Sequence, residues 1–341
     1  MKDYALYYIL ADLLNPEIES LNQKAEQYRQ LLCNVHSEIS RVIVGQDKII
    51  SKLILALMSS GHVLLEGVPG LAKTLLIKTL SECIDSNFVR LQFTPDLLPA
   101  DIIGTKIYDH NSTSFRTVKG PIFSHFVLAD EINRAPPKVQ SALLEAMQEK
   151  QVTIQGQTFP LKEPFFVMAT QNPIESEGTY RLPEAQIDRF MFKLLISYPR
   201  KDEESKIIQR FTEGFDVIVQ KIISADKLIE IQNFNSQIYA DQKIRDYVAQ
   251  IVDATRHPQD YDLDIDNKVE YGASPRASLW LTVGAKSNAI LNGRGYVTPQ
   301  DIQDIIYDVL RHRILLTYDA EAEYITSDQI IKTIIEKIPV P

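Results

Sequence analysis

Cysteine is nearly missing from this chain: Cys33 and Cys83 are the only two in 341 residues. Two thiols so far apart support neither a disulfide framework nor a zinc knuckle. Long apolar runs are missing as well. No stretch approaches the length of a membrane-crossing helix, and Met1-Lys2-Asp3-Tyr4 has no basic region leading into an apolar core. The expectation is a cytoplasmic chain with no direct membrane insertion. Surplus positive charge is absent too: 36 Lys and Arg stand against 45 Asp and Glu, a net charge of -9. An acidic surface disfavours non-specific contact with nucleic acid, so no nucleic-acid partner is expected. The histidines (His36, His62, His110, His125, His257 and His312) show no metal-ligand spacing. There is no internal repeat and no low-complexity segment.

What is there is an ordinary globular composition, with 45% hydrophobic and 24% charged residues. The length suits one large domain and one small one. Residues 1–40 read as a polar helical segment lying against the main body, with Leu21, Leu31 and Leu32 as packing candidates. Ile49, Ile50, Leu53, Ile54 and Leu57 recur at helical spacing, and Gly61 ends that helix. Strands are expected at His62–Glu66, Phe88–Phe93, Phe126–Ala129, Phe165–Ala169 and Phe192–Ile196, with a helix over Pro137–Met147. Gln155-Gly156 reads as a hairpin turn between Gln151–Ile154 and Gln157–Pro160. Strands separated by helices imply a mostly parallel sheet covered on both faces. After Tyr198-Pro199-Arg200 the pattern turns helical, over Glu203–Phe211, Asp226–Ile238, Gln242–Thr255, Ser274–Leu291, Pro299–His312 and Asp328–Ile338.

Two segments carry chemistry. Gly67-Val68-Pro69-Gly70-Leu71-Ala72-Lys73-Thr74 follows the first expected strand and opens a helix. Glycines free the backbone N–H groups to point inward, and a helix N-terminus beneath them attracts anions. Lys73 would reach the β and γ phosphates of a nucleotide, and Thr74 would offer its hydroxyl to Mg²⁺. Ala72 stands where glycine is usual; alanine is small and compatible with helical geometry, so the cradle is expected to survive. Phe126-Val127-Leu128-Ala129 then runs into Asp130-Glu131. Acids at the end of an apolar strand sit where ligands collect in such sheets. Asp130 would orient the metal shell and Glu131 would polarise the attacking water. Asn172, after the next strand, could hold that water or the γ phosphate. Arg189 reads on its own as an ordinary ion-pair residue. Arg276 opens a helix, where a cation is unfavourable without a nearby anion.

The chain resembles the AAA+ ATPases and, among them, the MoxR family. The resemblance rests on Ile43–Gln46 (I-V-G-Q), Gly67–Thr74, Ala129–Gln140 (A-D-E-I-N-R-A-P-P-K-V-Q) and Leu143–Glu149. It continues through Ala169–Pro173, Leu182–Phe190 (L-P-E-A-Q-I-D-R-F), Gly272–Arg276 (G-A-S-P-R) and Val309–Ile314. It implies a P-loop NTPase fold: a three-layer αβα core with a parallel sheet, then an all-helical lid. The implied domains are an amino-terminal helical segment packed on the core (1–40), the ATPase core (41–198) and the lid (199–341). Gly67–Thr74 would be Walker A and Asp130-Glu131 Walker B. ATP would be bound by Val44, Gly45, Gln46 and the run Gly67, Val68, Pro69, Gly70, Leu71, Ala72, Lys73, Thr74, Leu75, with Mg²⁺ on Thr74 and Asp130. Lys73, Glu131, Asn172 (sensor 1), Arg189 (an arginine finger acting on the neighbouring subunit) and Arg276 (sensor 2) would be the catalytic set. Leu98–Lys119 would be an insertion and Gln151–Pro160 a hairpin, both directed to a pore or partner.

The same resemblance implies a homo-oligomer, usually a hexameric ring. It implies chaperone-like remodelling, maturation or activation of other proteins alongside a separate von Willebrand factor A domain protein. A nucleic-acid motor and a metal-chelatase-type motor subunit are the alternatives from the same branch.

Overall fold

The computed structural model describes residues 16–68, 70–110, 113–173, 179–213 and 218–341. Pro69, the first fifteen residues of the amino-terminal segment and Asn111-Ser112 of the insertion therefore lie outside the described residues. By contacts the chain forms two units, Val35–Ile229 and the residues up to Asn34 together with Glu230–Pro341.

The first unit holds a five-stranded sheet. Its strands are β1 (Val63–Glu66), β2 (Phe88–Gln92), β5 (Phe126–Asp130), β8 (Phe166–Gln171) and β9 (Phe192–Leu195), in the order β2-β5-β8-β1-β9. All its pairings are parallel. Leu64, Val127, Ala129, Val167 and Ala169 enter one buried cluster with Leu143 and Leu144. The alternate residues Val63, Leu65, Leu128 and Met168 are just as buried. Side chains alternate between faces along a strand, so both faces of this sheet are covered. Each such valine, leucine or methionine contributes about 1.5–3 kcal/mol by leaving water.

Helices α2 (Asp47–Met58), α3 (Lys73–Cys83) and α5 (Pro137–Glu149) lie where periodicity predicts. The hairpin of β6 (Gln151–Ile154) and β7 (Gln157–Pro160) also matches, because Gln155 and Gly156 both take the positive φ that its tight turn requires. Beyond the sequence reading are a short helix α4 (Pro99–Ile103) and a second hairpin, β3 (Gly104–Asp109) with β4 (Ser114–Lys119). His62 staples the core. Its Nδ1 accepts from the Val167 amide at 3.1 Å, which leaves Nε2–H to donate to the Met147 carbonyl at 3.2 Å.

Two boundaries differ from the expected 40/41 and 198/199. Helix α1 (Pro16–Val42) is divided between the units at Asn34. Its earlier part packs on the carboxy-terminal unit rather than on the core. Tyr28 meets Phe234 edge-on at 5.1 Å and donates to Glu230 at 2.6 Å, while Asn22 accepts the Gly295 amide at 2.7 Å. The reason lies in the buried stripe, which is Ala25, Tyr28 and Leu32 rather than the leucines alone; Leu21 and Leu31 are half-buried. At the other boundary, residues through Ile229 stay with the core unit. Arg210 of helix α7 (Lys201–Thr212, after the short α6, Glu184–Ile187) donates to the Arg41 carbonyl at 2.8 Å. The Ile222 amide donates to the Cys83 carbonyl at 2.8 Å.

The carboxy-terminal unit is mainly helical. It contains α8 (Ala225–Gln237, most of it), α9 (Gln242–Ala254), α10 (Pro275–Leu291), α11 (Pro299–Gln303), α12 (Ile306–Leu310), α13 (Tyr318–Ala322) and α14 (Ser327–Lys337). One ribbon interrupts the all-helical expectation: β10 (Val269–Tyr271) pairs antiparallel with β11 (Leu315–Leu316). Strands this short leave no periodicity to read. Among the described residues, no helix is long and apolar enough to cross a membrane.

Candidate nucleotide site

Strand β1 ends at Glu66 and the chain turns into a loop that can have no side chain at its first position. A Cβ on Gly67 would overlap Ile196 Cγ2 and lie 2.8 Å from the Ile196 carbonyl oxygen. Backbone cannot yield there, so only glycine fits. Gly70 adopts φ +85, and a Cβ there would meet nothing within 4 Å, so the loop is open on that side. Ala72 is not helical as expected. It caps α3 in the left-handed region at φ +54, a conformation that disfavours a Cβ by about 1–2 kcal/mol. Among the described residues no side chain caps α3, and its first turn holds no acid. The helix start therefore keeps free N–H groups and positive potential for an anion. Val68, Leu71, Thr74 and Leu75 are half-buried around this loop.

Lys73 Nζ donates to the Gly67 carbonyl. Burial pulls its pKa below the usual lysine value, against the opposing pull of Asp130, Glu131 and Glu66. The charges of both acids thus act on Lys73. Glu66 is itself paired with Lys193 at 2.8 Å.

The acid pair is heavily tethered. Thr170 Oγ1 donates to Asp130 Oδ1 at 2.6 Å and accepts the Glu131 amide at 2.8 Å. Arg90 reaches Asp130 Oδ2 through Nη2 at 2.6 Å and Nε at 3.0 Å. Gln92 Nε2 donates to Glu131 Oε2 at 2.8 Å, and Arg134 Nη1 stands 3.2 Å from the same oxygen. Glu131 sits at φ +56, where the strand breaks into a 3₁₀ turn, Ile132–Arg134. Backbone strain of this kind gathers at working sites. An open glycine loop, an uncapped helix start, a desolvated lysine, a hydroxyl (Thr74) and a carboxylate (Asp130) fit a polyphosphate with a hard cation such as Mg²⁺.

Residues 62–192 match the model of the ATPase family associated with various cellular activities (AAA), and residues 262–334 match the AAA lid domain. Chaperone MoxR1 of Mycobacterium tuberculosis is 49% identical over 305 residues, spanning 89% of this chain and 81% of that protein. This chain belongs to the MoxR family of AAA+ ATPases. The uncharacterized protein YeaC of Bacillus subtilis is 43% identical to this MoxR-family chain across 93% of it and 97% of YeaC. A crystallised candidate ATPase from Cytophaga hutchinsonii shares 49% identity and a TM-score of 0.89, covering 95% of this chain and 99% of its own.

The remaining predicted residues of this MoxR-family ATPase are spread more widely. Gln46 donates to the Ser197 carbonyl at 3.3 Å, and Gly45, at φ +76, lies against the Glu203 carboxylate; Val44 is half-buried beside them. Asn172 is buried one residue past β8. Arg189 follows α6 with its Nε buried and, among the described residues, without a hydrogen-bond partner. Among the described residues, no hydrogen bond or ion pair joins Arg189 to Lys73, Asp130 or Glu131. Arg276 belongs to the carboxy-terminal unit, at the second residue of α10, where its amide donates to Ser274 Oγ at 3.2 Å.

Sequence reasoning missed Thr170, Arg90, Gln92 and Arg134. A signal existed for two of them: Arg90 and Gln92 are two apart on a strand and so share a face. The β3–β4 hairpin was also unseen. One of its faces carries Tyr108 opposite Phe115, rings 5.3 Å apart, with Phe115 70% exposed. Lys119 on the same face lies 5.1 Å over the Phe159 ring of β7, tying the two hairpins together.

Proposed function

We propose that this chain hydrolyses ATP to ADP and phosphate and uses the cycle to remodel, mature or activate another protein. The observation that carries this reading is the Thr170-tethered Asp130–Glu131 pair at the end of β5, whose charge acts on the half-buried Lys73 that follows an open glycine loop. Lys73 would hold the β and γ phosphates, and the α3 N–H groups would bind their oxygens. Mg²⁺, held by Thr74 and Asp130, would supply Lewis-acid polarisation of the phosphate oxygens. Glu131 would accept a proton from the attacking water, with Asn172 orienting it. Val44, Gly45 and Gln46 would sit near the base.

Arg189 would act on ATP held by a neighbouring copy, and Arg276 would reach ATP from the lid of its own chain. A half-buried guanidinium whose Nε has no hydrogen-bond partner among the described residues supports that role for Arg189. A finger supplied across an interface requires an oligomer, here a ring of the hexameric kind. The exposed Tyr108–Phe115 face supports a partner-contacting role for the inserted hairpins. A separate von Willebrand factor A domain protein is the proposed co-worker, and a cytoplasmic setting is part of the same proposal.

The test is ATP turnover against protein concentration, with Arg189→Ala alongside. Specific activity that climbs with concentration, and stays flat in the variant, supports a shared site. Concentration-independent activity that survives Arg189→Ala refutes the ring.

A further inference from the structure

Asp130 is already neutralised by a cation of its own chain. Its Oδ1 takes the Thr170 hydroxyl, and its Oδ2 takes Nη2 and Nε of Arg90. Both carboxylate oxygens are engaged at once, and one of the two donors is a full positive charge. Arg90 is half-exposed while Asp130 is only 15% exposed. β2 is an edge strand, and its register sets Gln92 against Asp130 and Arg90 against Leu128. The long Arg90 side chain therefore reaches forward by one pleat to meet the acid.

A second link continues from it. Arg90 Nη2 donates to Gln92 Oε1 at 2.7 Å, and Gln92 Nε2 donates to Glu131 Oε2 at 2.8 Å. A chain of hydrogen bonds thus runs from Asp130 through Arg90 and Gln92 to the Glu131 carboxylate. A divalent cation arriving at Asp130 meets like charge at the same oxygen. With its arginine half-exposed to water, the pair is weak enough to be given up to it.

We propose that Arg90 is a resident cation that Mg²⁺ must displace from Asp130, and that its departure, felt through Gln92, loosens Glu131. Arg90 is then a positioning residue that sets how much metal the site requires. The inference rests on reading this site as one for Mg²⁺ and ATP. A plain structural strut would hold β2 to β5 without any bearing on metal affinity.

The test reads nucleotide binding rather than turnover. A fluorescent methylanthraniloyl ATP analogue is titrated onto wild type, Arg90→Met, Arg90→Gln and Arg90→Lys, from chelator to excess Mg²⁺. Met and Gln keep a stem without the charge, and Lys keeps the charge. The expected result is a Mg²⁺ half-saturation lowered by up to about fivefold in whichever neutral variant folds, the worth of one such pair. Arg90→Lys should stay near wild type, and binding without metal should be unchanged in all. A half-saturation equal in Met, Gln and Lys variants, or raised in the neutral ones, overturns the proposal while leaving the ATP reading intact. No binding by wild type at any Mg²⁺ concentration removes the ATP reading itself, and the proposal with it.

Discussion

The Thr170 hydroxyl donates to Asp130 Oδ1 at 2.6 Å, and its oxygen also takes the Glu131 amide at 2.8 Å. One buried side chain on β8 thus fixes both acids at the end of β5. Thr170→Val keeps the shape and removes both bonds. The Glu131 N–H is then unpaired in a partly buried place, which costs about 1–3 kcal/mol of stability. Turnover should fall at least about tenfold, the equivalent of about 1.4 kcal/mol of barrier, with nucleotide affinity nearly unchanged. Denaturant unfolding and steady-state kinetics check the two halves. Unchanged kinetics would remove Thr170 from the working site.

His62 makes the fold sensitive to acid. Burial pushes its pKa from 6.5 down to about 4, because the folded site holds the neutral ring between Val167 and Met147. Above pH 6.5 neither state binds the proton and the staple is at full strength. As pH falls from 6.5 to about 4, the unfolded chain takes up a proton that the folded one refuses. Stability should drop by about 3 kcal/mol across that window. His62→Gln should remove this share of the pH dependence, as read by urea unfolding at several pH values. Parallel curves for the two proteins would contradict the assignment.

Ala72 carries strain that glycine would relieve. It sits at φ +54 at the head of α3, where the Cβ is unwelcome. Ala72→Gly should raise stability by up to about 1 kcal/mol after the added freedom of the unfolded chain is subtracted. Ala72→Val should lower it, since a branched side chain tolerates positive φ worst. Calorimetric melting decides, and a lower Tm for Ala72→Gly would show that the loop relies on the alanine methyl.

These residues also mark what could be read from the chain alone. The central strands were legible because they are unbroken apolar runs ending in special residues, as Phe126–Ala129 ends in Asp130. Gln155-Gly156 was legible because a tight turn demands positive φ at both positions. The residues between β3 and β4 include no glycine to announce a turn, although Thr113 takes φ +49. The helix expected over Pro299–His312 divides into α11 and α12. Asn288 there binds Asp301 and Asp304 at 2.9 and 3.0 Å, a tertiary pull that no local pattern encodes. The motif residues of the site were legible by type, whereas their tethers were not. Arg90 and Thr170 come from strands far apart in sequence, and only the β2-β5-β8 order brings them to Asp130.

The most direct test of the central claim is a paired measurement on Glu131→Gln: ATP binding and ATP turnover, with Lys73→Ala as the reference for lost binding. Glu131→Gln should bind ATP with affinity near wild type and lose turnover by at least about a hundredfold, the usual share of a general base. Lys73→Ala should lose binding. Turnover undiminished in Glu131→Gln would contradict the account, because the acid tethered by Thr170, Gln92 and Arg134 would then not be the base.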